Sequence, residues 1–166
     1  MEKVEKGSKN TEDGNMFSID AIMSTNLITV SPAATLAEAR TLMHDNRIHH
    51  IPVVEGDRLV GLITLTNVLA ATDSFLRDDT TRIHANDIGI RDAMVTDVAT
   101  VDVNASLRHA ALFLEKHKIG CLPVLDDDKL VGIITDTDFV AVAINLLEQL
   151  EETEPFDDDY DEEDVA

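Results

Sequence analysis

The hydrophobic pattern of the chain changes several times between two periods. Short runs rich in β-branched and aliphatic residues, bounded by Asp, Gly, Asn or Pro, are typical of strands. Elsewhere apolar residues recur every three or four positions, as on the buried face of a helix. The pattern predicts strands at residues 27–30, 51–54, 58–64, 98–101, 122–125 and 129–135.

Capping residues mark where the predicted helices begin. Thr35 with Glu38 has the spacing of a capping box, and apolar residues follow it at helical spacing. Ser106 is the corresponding N-cap in the second half of the chain. A closing helix is expected to start near Thr66 and another near Thr137.

The second half of the pattern repeats the first. A shift of 71 residues aligns residues 20–69 with 91–140 without a gap. Each copy contains a strand, a helix, two strands and a helix, and is too small to close a core alone. We therefore expect an α/β fold of the α+β type, in which two copies pack together. Identical aligned pairs include Met23 and Met94, Pro52 and Pro123, Gly61 and Gly132, and Thr64 and Thr135.

The net charge of the chain argues against two classes of partner. The 166-residue chain has a formal charge of −20, and residues 151–166 hold ten acidic side chains and no basic one. Such a chain is repelled by nucleic acids and by anionic membranes, so neither is an expected partner. We interpret residues 151–166 as a solvated, disordered acidic tail, the alternative being a docking tail for a basic partner.

Targeting signals and cysteine content favour a cytoplasmic location. The chain contains no uncharged apolar run long enough to span a bilayer, and its first sixteen residues lack the apolar core of a secretory signal. The single cysteine, Cys121, cannot form an internal disulfide, which agrees with a reducing compartment.

Each copy ends in a motif that can carry binding chemistry. Residues 132–138 and 61–67 both place Thr three residues before Asp138 or Asn67, at the junction of a strand and a helix. Backbone N–H groups and the helix dipole meet there, and a carboxylate can accept hydrogen bonds from both hydroxyls of a ribose. Gly132 would let a ligand or neighbouring backbone come close. The alternative is that Thr and Asp only cap the helix.

The combination of these features resembles a known family. Two copies carrying Met, a Thr-Val strand, an apolar-Pro-Val strand and Leu-Val-Gly-apolar-Ile-Thr resemble the CBS-domain pair, or Bateman module, over residues 20–150. The stretch 119–123 is also similar to the pair in acetoin-utilisation regulatory proteins. The resemblance implies tandem β-α-β-β-α repeats packed as a pseudo-twofold pair. It also implies a regulatory ligand of the AMP, ADP, ATP or S-adenosylmethionine class and no obligatory cofactor.

The resemblance assigns residues to a preferred cleft between the copies. Asp138 would hold the ribose and Thr135 would lie near the phosphate. His49 and His50 fall where the family often has His-Arg contacts to phosphate; a permanently charged guanidinium is missing, so we expect triphosphates to bind weakly. The adenine wall is assigned to Thr100, Gly120, Cys121, Leu122 and Pro123.

A second cleft is expected to be weaker. Asn67 stands where an acid is expected, and the facing positions Gly120 and Cys121 supply neither charge nor a strong donor. The residues assigned to this second cleft are Thr29, Ile51, Pro52, Thr64 and Asn67.

Other chemistry is not expected. No nucleotide-hydrolase, hydrolase or zinc-protease motif occurs, so we predict that the protein is not an enzyme. His44, His49 and His50 lie close in sequence, but we predict no metal site there, and we interpret Cys121 as an apolar wall. The alternative function is a constitutive scaffold with a vestigial cleft.

The last helix predicts self-association. Residues 139–147 contain one polar side chain, Asn145, so this helix needs cover on more than one face. We expect a homodimer, together with a regulated protein partner that the sequence does not identify. The expected organisation is a disordered N-terminal segment at 1–16, repeat 1 at 17–76, a linker at 77–90, repeat 2 at 91–150 and the acidic tail at 151–166.

Overall fold

The computed structural model describes residues 3–4, 18–76 and 88–153. The two predicted copies are present, and their helices and hairpins follow the predicted order. The helices are α1 (Ile19–Ile22), α2 (Leu36–Asn46), α3 (Leu65–Leu76), α4 (Leu107–His117) and α5 (Asp136–Thr153). The strands are β1 (Lys3–Val4), β2 (His50–Glu55), β3 (Arg58–Thr64), β4 (Thr100–Asp102), β5 (Cys121–Asp126) and β6 (Lys129–Thr135).

The described strands form one sheet in the order β1-β4-β5-β6-β3-β2. Within each copy the two long strands form an antiparallel hairpin, β2 with β3 and β5 with β6. The two copies join where β3 pairs antiparallel with β6, through Arg58 and Lys129. The tight turn of the first hairpin uses Gly56 at φ 68°, whereas in the second Asp127 and Asp128 take positive φ.

The first strand of each copy differs from its prediction. Residues 27–30 form only a single bridge, from Val30 to β2, and the strand of the second copy, Thr100–Asp102, begins two residues later than predicted. The N–H of Val103 donates to β5 and extends the pairing there. Pro32 occupies the equivalent position in the first copy, and proline has no N–H to donate.

The helix caps of the two copies also differ. Thr35 and Glu38 form the predicted capping box, with the Thr35 N–H donating to Glu38 Oε2 at 2.7 Å and the Glu38 N–H donating to Thr35 Oγ1 at 3.2 Å. Ser106 is the N-cap of α4, as predicted, but its side chain makes no cap hydrogen bond. His109, which stands where Glu38 stands in α2, has no carboxylate to complete a box.

The leading segment of each copy packs on the other copy. Ile19, fully buried, belongs to the apolar core of the second copy. Ile88 and Ile90, both of which fall in the predicted linker at 77–90, belong to the core of the first copy. Because each core is completed by a residue from the other copy's leading segment, we expect the pair to fold as one unit. The bridges Ser24 to Ile133 and Leu62 to Val95 fix these segments.

Two recurring glycines make room for two recurring methionines. A Cβ atom on Gly132 would overlap the Met23 sulfur and lie 3.0 Å from Met23 Cγ. A Cβ atom on Gly61 would lie 2.7 Å from the Met94 sulfur and 3.1 Å from the Val95 carbonyl oxygen. The close approach at Gly132 is therefore made by a methionine of the other copy's leading segment, rather than by a ligand or neighbouring backbone.

Gly132→Ala is expected to destabilise the protein by about 1–3 kcal/mol, because the added methyl group must displace Met23 from its packed position. Thermal or urea unfolding would measure the change. Gly89→Ala is the matched control: its Cβ would lie 3.6 Å from Asp92 Oδ2, an ordinary contact, at φ −74°. Equal stability of the two variants would contradict this packing role.

Helix α5 leaves an apolar face open. Val140, Ile144, Leu147 and Leu150 are between 52% and 62% exposed and lie on successive turns. Isolated exposed apolar residues are common on protein surfaces and need no explanation, but a row along one helix forms a larger apolar patch. None of the helices in the described part of the chain is long and apolar enough to cross a membrane.

The segments outside these elements are only partly described. The N-terminal segment 1–16, interpreted as disordered, contributes β1, and the rest of it lies outside the described residues. Residues 77–87 of the predicted linker and 154–166 of the acidic tail also lie outside the described residues. The first residues of that predicted tail continue α5 as far as Thr153.

Candidate functional site

Asp138, predicted to hold the ribose, and Thr135, predicted to lie near the phosphate, are hydrogen-bonded to each other at the start of α5. The backbone N–H of Thr135 donates to Asp138 Oδ2 at 2.7 Å, and the Thr135 hydroxyl donates to the same oxygen at 2.9 Å. Both side chains are half-buried. Asp138 therefore does cap the helix, but with one carboxylate oxygen. Its second oxygen, Oδ1, accepts no hydrogen bond from the described residues and stays available to a ligand.

The first copy builds the same arrangement with an amide. The Thr64 N–H donates to Asn67 Oδ1 at 3.1 Å and the Thr64 hydroxyl donates to it at 2.6 Å, while the Asn67 N–H donates to Thr64 Oγ1 at 3.1 Å. The Asn67 oxygen is thus occupied by the cap. The group left over is the side-chain NH₂, which is neutral and can only donate.

The second half of the candidate site is formed between the copies. A Cβ atom on Gly120 would lie 3.1 Å from His50 Cε1, 3.2 Å from His50 Nε2 and 3.7 Å from Asp136 Oδ2. The His50 ring and the Asp136 carboxylate therefore both lie beside Gly120. The repeat aligns Gly120 with His49, and a side chain at position 120 would push the His50 ring away. The His50 ring can lie at this position because Gly120 has no side chain.

The charge of His50 follows from this location. Burial lowers the pKa of His50 below its ordinary value of 6.5; the Asp136 carboxylate opposes that shift, and His49 adds to it. The net pKa is lowered, so the His50 imidazole is mostly neutral at pH 7. Asp136 is exposed, accepts a hydrogen bond from the Thr137 N–H at 2.8 Å and carries negative charge into the same region.

Cys121 lies next to this group and is chemically quiet. Its side chain is buried, and burial together with the Asp136 charge raises the pKa of the thiol to about 12. A thiol held protonated is neither a good nucleophile nor a metal ligand. Among the described residues no group of three or more His, Cys, Asp or Glu side chains could hold a metal ion.

The remaining predicted residues differ in their exposure. Five of them are buried: Ile51, Pro52, Thr100, Leu122 and Pro123. Thr29 and His49 are exposed. The structure brings His50 close to Gly120, and Thr135 close to Asp138. Within the described residues, however, no hydrogen bond joins either histidine to Thr135 or Asp138.

Asp136 is not among the site residues that the sequence predicts. The structure places its carboxylate beside His50 and Gly120, where it opposes the lowering of the His50 pKa. A groove of about 420 Å³ between α4 and α5 also reaches Gly120 and Asp136. The sequence signal for this location was a carboxylate directly after a predicted strand. Its neighbour His50 belongs to the other copy, so their proximity follows only from how the two copies pack.

Comparison with known proteins agrees with this architecture. The family model of the CBS domain matches residues 19–74 and again residues 90–145. The chain belongs to the CBS-domain family. Over 119 residues it is 34% identical to the CBS domain-containing protein YhcV of Bacillus subtilis (strain 168). The aligned region covers 72% of this chain and 80% of YhcV.

Solved structures of CBS pairs resemble this chain closely. A protein assigned as the acetoin utilization protein AcuB from Vibrio cholerae is 40% identical, with a TM-score of 0.70, covering 83% of this chain and 98% of that one. The CBS domain pair of protein MJ0100, solved with 5′-methylthioadenosine and S-adenosyl-L-methionine, is 26% identical, with a TM-score of 0.65, covering 78% and 97%. The resemblance to CBS pairs, including the acetoin-utilisation type, is confirmed.

Larger enzymes are also among the curated relatives. This chain spans 26% of a homoserine O-acetyltransferase from Methanobrevibacter ruminantium and 22% of an inosine-5′-monophosphate dehydrogenase from Thermoplasma acidophilum. The catalytic activity of those enzymes is a property of much longer chains. CBS pairs are generally regulatory rather than catalytic, and this chain has the extent of such a pair.

Proposed function

We propose that this CBS pair is a regulatory module that binds an adenosine-type ligand in the cleft formed by Thr135, Asp138 and His50. The observation that carries the proposal is the state of Asp138. Its side chain is half-buried, with one carboxylate oxygen fixed by Thr135 and the other accepting no hydrogen bond from the described residues. The known binding of 5′-methylthioadenosine and S-adenosylmethionine by the MJ0100 pair supports the same ligand class here.

Asp138 can recognise a ribose because its geometry is set before the ligand arrives. Thr135 holds Oδ2, so the carboxylate plane is fixed by two hydrogen bonds on the protein side. Oδ1 can then accept hydrogen bonds from the 2′ and 3′ hydroxyls without losing the helix cap. Hydrogen bonds to an ionised acceptor are stronger than neutral ones, which favours a diol over a single hydroxyl.

The two pseudo-symmetric clefts are not equivalent in this proposal. Asn67 uses its only side-chain acceptor on Thr64, so it offers a ribose a neutral donor and no acceptor. Asp138 offers a charged acceptor. We therefore place the ligand at the Asp138 cleft, with the Asn67 cleft much weaker.

The charges of the cleft disfavour ligands rich in phosphate. Asp136 and Asp138 bring two carboxylates, and the neutral His50 offsets neither of them at pH 7. Adenosine, 5′-methylthioadenosine and S-adenosylmethionine carry no phosphate, and we place them ahead of AMP, with ATP weakest.

The pH dependence of AMP binding tests this charge assignment. His50 has a lowered pKa, so its imidazole is mostly neutral at pH 7 and gains its proton only as the pH falls further. The AMP-to-adenosine affinity ratio is therefore expected to rise as His50 becomes protonated, by about fivefold once the imidazole is charged, or roughly 1 kcal/mol of added attraction. Isothermal titration calorimetry would measure both affinities.

A variant separates His50 from other titrating groups, including the phosphate itself. His50→Asn should remove most of the rise, whereas His44→Asn, an exposed histidine on α2 beside Asp45, should retain it. An unchanged rise in His50→Asn would refute the assignment.

A thermal-shift panel on the full chain tests the proposed function. A ligand that binds only the folded state adds about 2.7 kcal/mol of stability at a hundred times its Kd. The panel contains adenosine, 5′-methylthioadenosine, S-adenosylmethionine, AMP and ATP, with guanosine as the control base. Stabilisation by at least one adenosyl compound but not by guanosine is expected. No shift with any of them would favour a constitutive scaffold.

Regulation requires that the ligand act on something beyond its cleft. We propose that the chain is a cytoplasmic homodimer joined through the open face of α5, and that ligand binding shifts the dimer between two conformations with different affinity for a protein partner. The exposed apolar row on α5 supports the dimer, and the single buried cysteine is consistent with a reducing compartment.

A further inference from the structure

An open groove of about 530 Å³ lies on the first copy, away from the ligand cleft. Val30, Ser31 and Ala34 form one wall, and Ala37, Thr41 and Leu42 of α2 form the other. We call it the α2 groove. Its walls are made mostly of small or apolar side chains, so it can accept a side chain of moderate size.

The strand side of the α2 groove has unused hydrogen-bonding groups. The Val30 N–H donates to the Pro52 carbonyl at 3.2 Å, and the Val30 carbonyl accepts from the Val54 N–H at 2.9 Å. Because backbone groups alternate sides along an extended segment, the Thr29 carbonyl and the Ser31 N–H point away from β2. Neither makes a backbone hydrogen bond within the described residues. Together they are spaced to pair with one residue of a parallel strand.

The second copy shows how such an edge is used. The equivalent strand, β4, is paired in parallel with β1, with Lys3 opposite Thr100 and Val4 opposite Val101. β1 also contacts α4, the counterpart of α2. The repeat aligns Thr100 with Thr29 and Val101 with Val30. The described part of the chain therefore contains the same strand-and-helix site twice, once paired with the N-terminal segment and once without a strand at the equivalent edge among the described residues.

We propose that the α2 groove binds an extended segment of a partner protein as an added parallel strand. The backbone of that segment would pair with Thr29 and Ser31, and a β-branched side chain would enter between the strand and α2. Strand addition to an open sheet edge is a common mode of peptide recognition. Because the described N-terminal residues already pair with β4, we assign the edge at Thr29–Ser31 to a segment of another protein.

Charge defines the chemistry of the partner segment further. Glu38 is the ionisable side chain that lines the α2 groove, and its Oε2 is held by Thr35. Oε1 remains available at the groove, and the chain as a whole has a charge of −20. A segment with Lys or Arg beside the β-branched residue is therefore favoured, both at the groove and during encounter.

A synthetic peptide with the sequence of residues 1–8 is the probe, because it contains Lys3 and Val4 and this segment already pairs with such an edge. The full-length ¹⁵N-labelled protein is titrated with it and followed by amide NMR shifts. Shifts at residues 29–31 and 34–42 are expected. No shift at millimolar peptide, or shifts confined to residues 100–102 and 107–113, where the peptide would only replace β1, would overturn the proposal.

Two tryptophan variants of the protein and one variant of the peptide test where the peptide binds. Thr41→Trp, at an exposed position of the groove wall, should fill the groove and weaken the peptide at least about tenfold. Arg40→Trp, an equally exposed neighbour outside the lining, should bind normally. A peptide with Val4→Asp should not bind. Equal binding by the two Trp variants would also refute the site. Because the α2 groove is separate from the Asp138 cleft, these outcomes do not depend on adenosine binding.

Discussion

Asp138→Ala is expected to weaken the binding of the adenosyl ligand at least about a hundredfold, as measured by calorimetry. The variant loses a charged acceptor that can take two ribose hydrogen bonds, each worth about 1.5–3 kcal/mol when the acceptor is ionised. The effect is expected to be large because Thr135 already holds the carboxylate in position, so little ordering is needed when the ligand binds.

Asn67→Ala is the matched control for this prediction. It removes the same kind of helix cap, because Asn67 bonds to Thr64 as Asp138 bonds to Thr135. Both variants should lose about 1 kcal/mol of stability from the cap. Only Asp138→Ala should lose the ligand. Equal losses of affinity in the two variants would contradict the ranking of the clefts.

Asp138→Asn separates the cap from the charge. The amide oxygen can still accept from Thr135, as the Asn67 oxygen accepts from Thr64, so the start of α5 should remain intact. The remaining NH₂ group cannot accept hydrogen bonds from a diol. We expect near-normal stability with strongly reduced affinity, which is the behaviour that we propose for the Asn67 cleft of the first copy.

The double variant Ile144→Asp with Leu147→Asp is expected to convert the proposed homodimer into a monomer, weakening self-association at least about a hundredfold. Ile144 is 52% and Leu147 58% exposed in the isolated chain, so the substitutions should leave the fold intact while placing two charges in an apolar interface. Analytical ultracentrifugation at micromolar concentration would measure the change.

Leu112→Asp is the control for the dimer prediction. Leu112 is 44% exposed but lies on α4, away from the apolar row of α5. The variant should remain a dimer. Sedimentation of the unmodified chain as a monomer, or dissociation by Leu112→Asp as strongly as by the double variant, would contradict an interface on α5.

Much of the fold could be predicted because local signals agreed with the repeat. The hairpins followed from β-branched runs flanking acidic turns, and α2 followed from the capping box at Thr35. The shortened first strand was also readable, since Pro32 lacks the N–H that Val103 uses. The packing of each leading segment on the other copy could not be predicted. Ile19 and Ile88 lie outside the aligned ranges 20–69 and 91–140, and a single buried isoleucine produces no periodic pattern.

The candidate site was predictable to the extent that it is local. Thr135 and Asp138 are three residues apart, so their hydrogen bonds follow from the start of one helix. The contact of His50 with Gly120 and the influence of Asp136 depend on how the two copies pack. The contact of Met23 with Gly132 could not be predicted for the same reason. Both residues recur in the repeat, but only the packing shows that they are in contact.

The most direct measurement is a crystal structure of the full chain soaked with 5′-methylthioadenosine, which has the diol and no phosphate. The account predicts the ribose hydroxyls within hydrogen-bond distance of Asp138 Oδ1, with Thr135 still bonded to Oδ2, and weak or absent density at Asn67. A structure with the ligand at the Asn67 cleft, or with Asp138 facing bulk water while protein side chains fill the space beside it, would contradict the account.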